Sequence, residues 1–278
     1  MRPTVTAGAL TAHRRPNERI NAALQTTRGA LVARIAVVGV ILLLWYLAGA
    51  FGIVDRFLAS SPQAVATAWP HLLSDAEVRS ALGQTAVAIL IAFVIATVTG
   101  ILAGFLIGWA PLIRRAYYPA FLFLLSTPKV VFVPLFMLVF GIGPAAVIAF
   151  GAFQAFFYVT VTVVGGVDLV GSRELRLARA FRATKFQTFV HVVVPATSHA
   201  LFAAVWFGIS QAFTGALIVE LFVSAGGVGQ LLSQYQRSLH ADSVIALALT
   251  LSIVAILCGT AVTWVEAKVC KWRLRKET

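Results

Sequence analysis

The chain has 278 residues, of which 60 % are hydrophobic and only 12 % charged, and its mean hydropathy is +0.91. A water-soluble domain carries about 25 % charged residues, so this composition excludes a soluble globular protein. A formal net charge of +12 would point to nucleic acid in a soluble chain, but here the positive residues lie between apolar runs, where membrane topology accounts for them.

Residues 1–30 mix Thr, Ala, Pro, Asn and Arg without apolar period and read as a largely disordered tail. Uncharged runs follow at Ile35 to Val54, Ala81 to Ile113, Val130 to Val167, Phe186 to Val219 and Ser243 to Val265. A bilayer core of about 30 Å needs roughly 20 apolar residues per helix. The first run is too long, and lies too far from the start, for a cleaved signal segment, although Ala48-Gly49-Ala50 has the look of a cleavage site. Between it and the second run, Ser61 is placed to cap a short amphipathic helix begun by Pro62, with Val65, Ala68, Trp69, Leu72 and Leu73 at apolar spacing. The run from Val130 to Val167 is broken at Gly141-Ile142-Gly143-Pro144, which stops one helix and starts another. The expected spans are therefore Ile35–Ile53, Ala81–Gly108, Ala116–Phe140, Pro144–Gly166, Ala196–Phe222 and Ser243–Val265, in a transmembrane domain over 31–268, with a short tail at 269–278.

Charge orients these spans. Arg2, Arg14, Arg15, Arg19, Arg28 and Arg34 precede the first. Arg114 and Arg115 follow the second, Arg173, Arg176, Arg179, Arg182 and Lys185 the fourth, and Lys268, Lys271, Arg273, Arg275 and Lys276 the sixth. Eighteen of the 22 basic residues thus fall on one side, and both termini are expected in the cytoplasm. The opposite loops hold Arg56, Arg79 and Arg237.

The segment between spans four and five, 171–195, is too polar to cross a membrane. Ser172 can cap a helix in which Leu175, Ala178 and Phe181 form an apolar stripe among arginines, and a second short helix from Lys185 follows Thr184 before Pro195 opens span five. Such an amphipathic element can lie on anionic lipid or dock into a groove on a partner protein; composition leaves both open.

Lys129 lies inside span three, flanked by Pro128 and Pro134. An intramembrane cation costs at least about 2.5–3.5 kcal/mol, so it must face a cavity, a carboxylate or freed carbonyls, and the span should face the bundle interior. It is either a polar point on a translocation path for an anion or a satisfied, snorkelling lysine. Glu220, near the end of span five, either gates or hydrogen-bonds loop amides. Gly226-Gly227-Val228-Gly229 reads as a turn, because no strand precedes it to make a nucleotide-binding loop. No Walker-type phosphate loop, metal-ligand cluster or catalytic pair occurs, so no cofactor is expected and any ATP hydrolysis belongs to a separate subunit. Cys258 and Cys270 have no metal or disulfide spacing and read as small fillers.

A set of motifs runs in order along the chain: Tyr118-Pro119, Ser126-Thr127-Pro128-Lys129-Val130, Val133-Pro134-Leu135, Phe140-Gly141-Ile142-Gly143, Ala183-Thr184, Gln187, Phe189, His191 to Ala196, Glu220, and Gly226 to Leu232. With these the stretch from Ala81 to Val265 resembles the binding-protein-dependent ABC transport permeases of the nitrate/sulfonate/taurine group. The resemblance implies an all-α, polytopic, six-helix permease of the type I importer kind in the bacterial inner membrane. Its implied partners are a second copy of itself, two cytoplasmic ATPase subunits and an extracytoplasmic solute-binding protein. It also implies that Glu174 to Phe189 is the coupling element. Aligned on Pro195, the family's Glu-Ala-Ala falls on Arg176-Leu177-Ala178, Glu174 stands two residues early, and the motif glycine falls on Arg182. At that turn either the backbone stays right-handed or Arg182 carries strain. The competing reading is an intramembrane enzyme or assembly factor whose loop lies on lipid, which would need paired reactive groups at span depth.

Overall fold

The computed structural model describes residues 27–51, 60–223 and 226–269, which are helical throughout apart from short connections. The expectations for the two tails, and for Cys270, lie almost wholly outside these residues. The chain divides after Ala64 into two units. The first holds α1, Thr27–Ala50, which carries the apolar stretch Leu31–Leu47 and begins eight residues before the expected start. Trp45 Nε1 donates to the carbonyl of Ser60 at 3.0 Å. The second helix, α2 (Pro62–Ser74), crosses the division; Ser61 Oγ accepts from the amide of Ala64 at 3.3 Å, the cap expected of a Ser-Pro start.

The second unit is built around three long helices: α3 (Ala76–Trp109), α6 (Pro144–Asp168) and α10 (Ser198–Val223). Asp75 caps α3 by accepting from Glu77 N at 2.8 Å, with both acidic groups at the positive end of the helix dipole. What lets these helices meet is a stripe of small residues on α3 at every fourth position: Ala88, Ala92, Ala96, Gly100, Gly104 and Gly108. In hydrocarbon there is no hydrophobic drive between helices, so association depends on close van der Waals approach, which small residues permit. A Cβ added at Gly100 would stand 2.7 Å from Val159 Cγ1, at Gly104 2.6 Å from Val163 Cβ, and at Gly108 3.0 Å from Val167 Cβ. Gly208 and Gly215 give α10 the same intimacy with α3 and α6. The opposite face of α3, with Leu90, Val94, Val98, Leu102 and Leu106, is apolar and exposed, as a lipid-facing surface must be.

Four helices among the described residues are long and apolar enough to cross a membrane, namely α3, α6, α10 and α12 (Ala241–Val269). A fifth is counted if a bent pair is one span. That pair replaces the expected third span, Ala116–Phe140. Helix α4 (Pro111–Ser126) stops, a 3-10 turn runs over Lys129–Phe132, and α5 (Val133–Phe140) leaves at 95°. The cause is local. Thr127, preceding Pro128, is extended at φ −74°, ψ 137°, since the proline ring disfavours the α region there. Pro134 sits in the first turn of α5, where its missing N–H costs nothing. The expectation that this span faces the bundle interior holds for its second half: α4 buries no side chain, but Lys129 and Val133 are buried and Phe132, Phe136 and Met137 pack on the core shared by α3, α6 and α10. Arg114 and Arg115, expected in a loop, lie in α4, because Ala110 alone joins it to α3. Gly141 (φ 76°) and Gly143 (φ 157°) make the expected break before α6.

The glycine-rich segment is not merely a turn. Gly226 (φ 96°) leads into α11, Gly227–Arg237, which packs on α3, α10 and α12. Its periodic Val228, Leu231, Leu232 and Tyr235 were the signal for that helix. Trp69 Nε1 of α2 donates to Thr250 Oγ1 of α12 at 2.9 Å.

Candidate functional site

The connection between α6 and α10 folds as α7 (Ser172–Ala180), α8 (Lys185–Thr188), a π turn (Phe189–Val193) and the short α9 (Val194–Ala196). The N-cap of α7 is Gly171 rather than Ser172, and the Glu174 carboxylate curls back over that glycine at the positive helix end. The end of α7 is a Schellman turn: the amide of Ala183 donates to Ala178 O and that of Arg182 to Arg179 O, both at 3.0 Å. Its left-handed residue is Arg182, at φ 52°, where glycine is the usual occupant. Of the two conformations open to Arg182, the chain thus adopts the strained one, which costs a side chain about 1 kcal/mol.

Two residues on, Thr184 and Gln187 form a reciprocal capping box. Thr184 Oγ1 accepts from Gln187 N at 3.2 Å, and Gln187 Oε1 accepts from Thr184 N at 2.9 Å. Pro195 does not open the long helix. It offers no N–H to the carbonyl of His191, and the chain widens into the π turn, in which Val194 N reaches Phe189 O. Phe189 turns inward, its ring edge-on to Phe105 at 5.1 Å and tilted against Trp109 at 6.0 Å, both on α3. With buried Ala178, Thr188 and Val193 it ties the loop to the bundle.

The expected stripe needs correction at its end. Ala178 is buried and Leu175 half-buried, but Phe181 lies past the helix and is 84 % exposed. The outward apolar groups are Leu177, Phe181 and Phe186. Glu174, Ala178, Phe181, Ala183, Gln187 and Pro195 come together around an open groove of about 750 Å³. Arg176, Arg179 and Arg182 stay on the exposed surface of α7 and its turn. Two contacts that sequence reading missed brace this end of the molecule. Asp168, at the end of α6, takes a bidentate pair from Arg114 of α4, with Nη2 to Oδ2 at 2.7 Å. His199 Nδ1 lies 2.7 Å from Glu266 of α12.

A second set of candidates, Pro128, Lys129 and Pro134, sits at the bend. Lys129 is 6 % exposed; its Nζ donates to Leu125 O at 3.1 Å and stands 4.9 Å from the ring centre of Tyr158. The carbonyl is free because the helix has ended, so the lysine takes the place of a missing backbone donor.

The third set, Glu220, Gly227 and Gly229, forms one buried node. Thr85 of α3 donates to both carboxylate oxygens of Glu220, at 2.8 and 2.9 Å, and Gly229 N donates to Oε2 at 3.0 Å. Val228 N donates in turn to Thr85 Oγ1 at 2.9 Å. A Cβ on Gly227 would strike the Glu220 carboxylate, and one on Gly229 its Cβ, so both positions require glycine. Thr85 was not legible as a partner, being 135 residues from Glu220.

These features define a polytopic, all-α membrane protein whose central helices are joined by an exposed, internally capped amphipathic loop. The chain belongs to the binding-protein-dependent transport system inner membrane components, whose family model matches residues 96–271. Among curated proteins, one named as an aliphatic sulfonates transport permease of Bacillus subtilis is 24 % identical, over 84 % of this chain and 85 % of its own length. The taurine transport system permease of Escherichia coli is 22 % identical over 86 % and 88 %. A formylaminopyrimidine transport permease of Halalkalibacterium halodurans is 26 % identical over 70 % and 78 %. It is thus a transport permease of this family, with several helices long and apolar enough to cross a membrane.

Proposed function

We infer that this chain forms the membrane pathway of an ATP-driven importer for a small organic anion, and that the 172–196 loop is where a cytoplasmic ATPase grips it. Two copies line the path, each engages one of two ATPase subunits, and an extracytoplasmic binding protein delivers the solute. The weight of Arg and Lys on one side supports a cytoplasmic position for both termini and the loop. Six crossings follow if α1 and the bent pair each traverse the bilayer. The observation that carries the coupling assignment is the build of the loop: Leu177, Phe181 and Phe186 present apolar surface outward, while caps and the Phe189 anchor hold it stiffly on α3. A stiff element transmits the rigid-body closure of a partner; a lipid-lying helix needs no such bracing. A sulfonate or a similar organic anion is the solute class, by analogy with the names of the relatives.

The test is co-expression with ABC ATPase subunits from the same genome and their co-purification with wild type and with the double variant Leu177→Asp/Phe181→Asp. Both sites are exposed, so the fold should survive and the ATPase should be lost. An ATPase retained in full by the variant refutes the coupling assignment.

A further inference from the structure

Two buried side chains among the described residues carry formal charge, Glu220 and Lys129. The carboxylate of Glu220 is supplied with donors by Thr85 and Gly229. Lys129 is not matched in this way. Its ammonium has three N–H groups, one directed at Leu125 O, with the face of Tyr158 beside it. Among the described residues the ion pairs are Arg114–Asp168 and His199–Glu266, and no carboxylate reaches Lys129. One helical turn from Tyr158, about 5.4 Å along α6, Gln154 Nε2 donates to Gln211 Oε1 of α10 at 3.2 Å. Gln154 Oε1 is buried and has no hydrogen-bond partner. Two unmet demands of opposite sense therefore lie along one face of α6, a helical turn apart: a cation without an anion beside Tyr158, and a carboxamide oxygen without a donor at Gln154. Each is costly in low dielectric when left open.

We propose that Lys129 and the Gln154–Gln211 pair are the intramembrane binding site for a small organic anion that also carries an N–H or O–H donor. The anionic group pairs with Lys129 beside Tyr158, and the donor at the ligand's other end meets Gln154 Oε1. This deepens the permease reading and rests on it. The low dielectric around Phe153, Phe156 and Phe157, which pack on one another and near the bend, strengthens the charge pairing over its value in water.

The test uses the full chain in lipid nanodiscs and its thermal unfolding midpoint at matched ionic strength. The probes are taurine and 2-hydroxyethanesulfonate, which have a donor, and ethanesulfonate, which has none. At saturation a donor-bearing probe should raise the midpoint of the wild type by about 3 °C or more, and ethanesulfonate by less. Lys129→Met should abolish every shift, Lys129→Arg should keep at least half, and Gln154→Leu should erase the preference over ethanesulfonate. The site is overturned if neither donor-bearing probe moves the wild-type midpoint, or if the shift survives Lys129→Met. ATPase co-purification with wild type and Lys129→Met reports separately: a retained ATPase without any anion shift sinks this site and leaves the permease reading standing.

Discussion

Replacing Gly104 by alanine tests whether the small-residue stripe of α3 determines how closely the central helices pack. The added methyl would lie 2.6 Å from Val163 Cβ and 2.9 Å from the carbonyl oxygen of Thr160. Carbon atoms rest near 3.5 Å or beyond, so α3 and α6 must separate locally by about 1 Å. Val163 is fully buried, and the carbonyl belongs to helix backbone, so neither can swing aside. Overpacking of this kind costs about 1–3 kcal/mol, offset by up to about 1 kcal/mol from the better helix propensity of alanine. The net loss should be about 1–2 kcal/mol. Gly83, on the same helix, has nothing within 4 Å of an added Cβ, and Gly83→Ala isolates the propensity gain. The neighbours Gly165 and Gly166 of α6 form a second matched pair, the first open and the second against Ala200. The assay is the unfolding midpoint of the purified chain in nanodiscs. Gly104→Ala and Gly166→Ala should fall below wild type, while Gly83→Ala and Gly165→Ala should equal or exceed it. If Gly104→Ala proves as stable as Gly83→Ala, close packing at the stripe is not what holds α3 to α6.

Arg182→Gly should relieve the left-handed strain at the Schellman turn and stabilise the loop by about 1 kcal/mol, read as slower tryptic cleavage at the neighbouring Arg179 and Lys185. Cleavage at an unchanged rate would mean that the loop's stability is set elsewhere. Glu220→Ala strands the hydroxyl of Thr85 and the amide of Gly229 in a buried site and should cost about 2–4 kcal/mol, whereas the double change Glu220→Ala/Thr85→Val should lose less than the two single changes added together, since each removes the same node. Additive losses would show that the node is not one unit. The Arg114–Asp168 pair is a third to two fifths exposed, so a double-mutant cycle should return a coupling of only about 0.5–1 kcal/mol, shrinking in high salt; a coupling several-fold larger would contradict the solvent screening argued for it.

The same contrast between local and distant causes separates what could be read in the sequence from what could not. The long uncharged runs, the Gly141–Pro144 break and the Ser61–Pro62 helix start were legible because each is settled by residues adjacent in the chain: hydrocarbon excludes charge, and glycine and proline act on their own backbone. The order of motifs along the chain likewise carries the resemblance to the permease family. Helix α11 was legible in principle from its apolar period, but its glycine-rich entrance obscured it. The two prolines beside Lys129 are the local cause of the bend, yet the expected span ran through it unbroken, and its 95° angle and the lysine's place against Leu125 O and Tyr158 needed the fold. Three features were decided only by tertiary structure. Arg182 holds a glycine's conformation, Glu220 finds Thr85 across the bundle, and Asp168 pairs with Arg114. In each, residues far apart in the chain, or a backbone dictated by its surroundings, must come together, and a one-dimensional pattern records a residue's neighbours along the chain but not the partners that close packing presses against it.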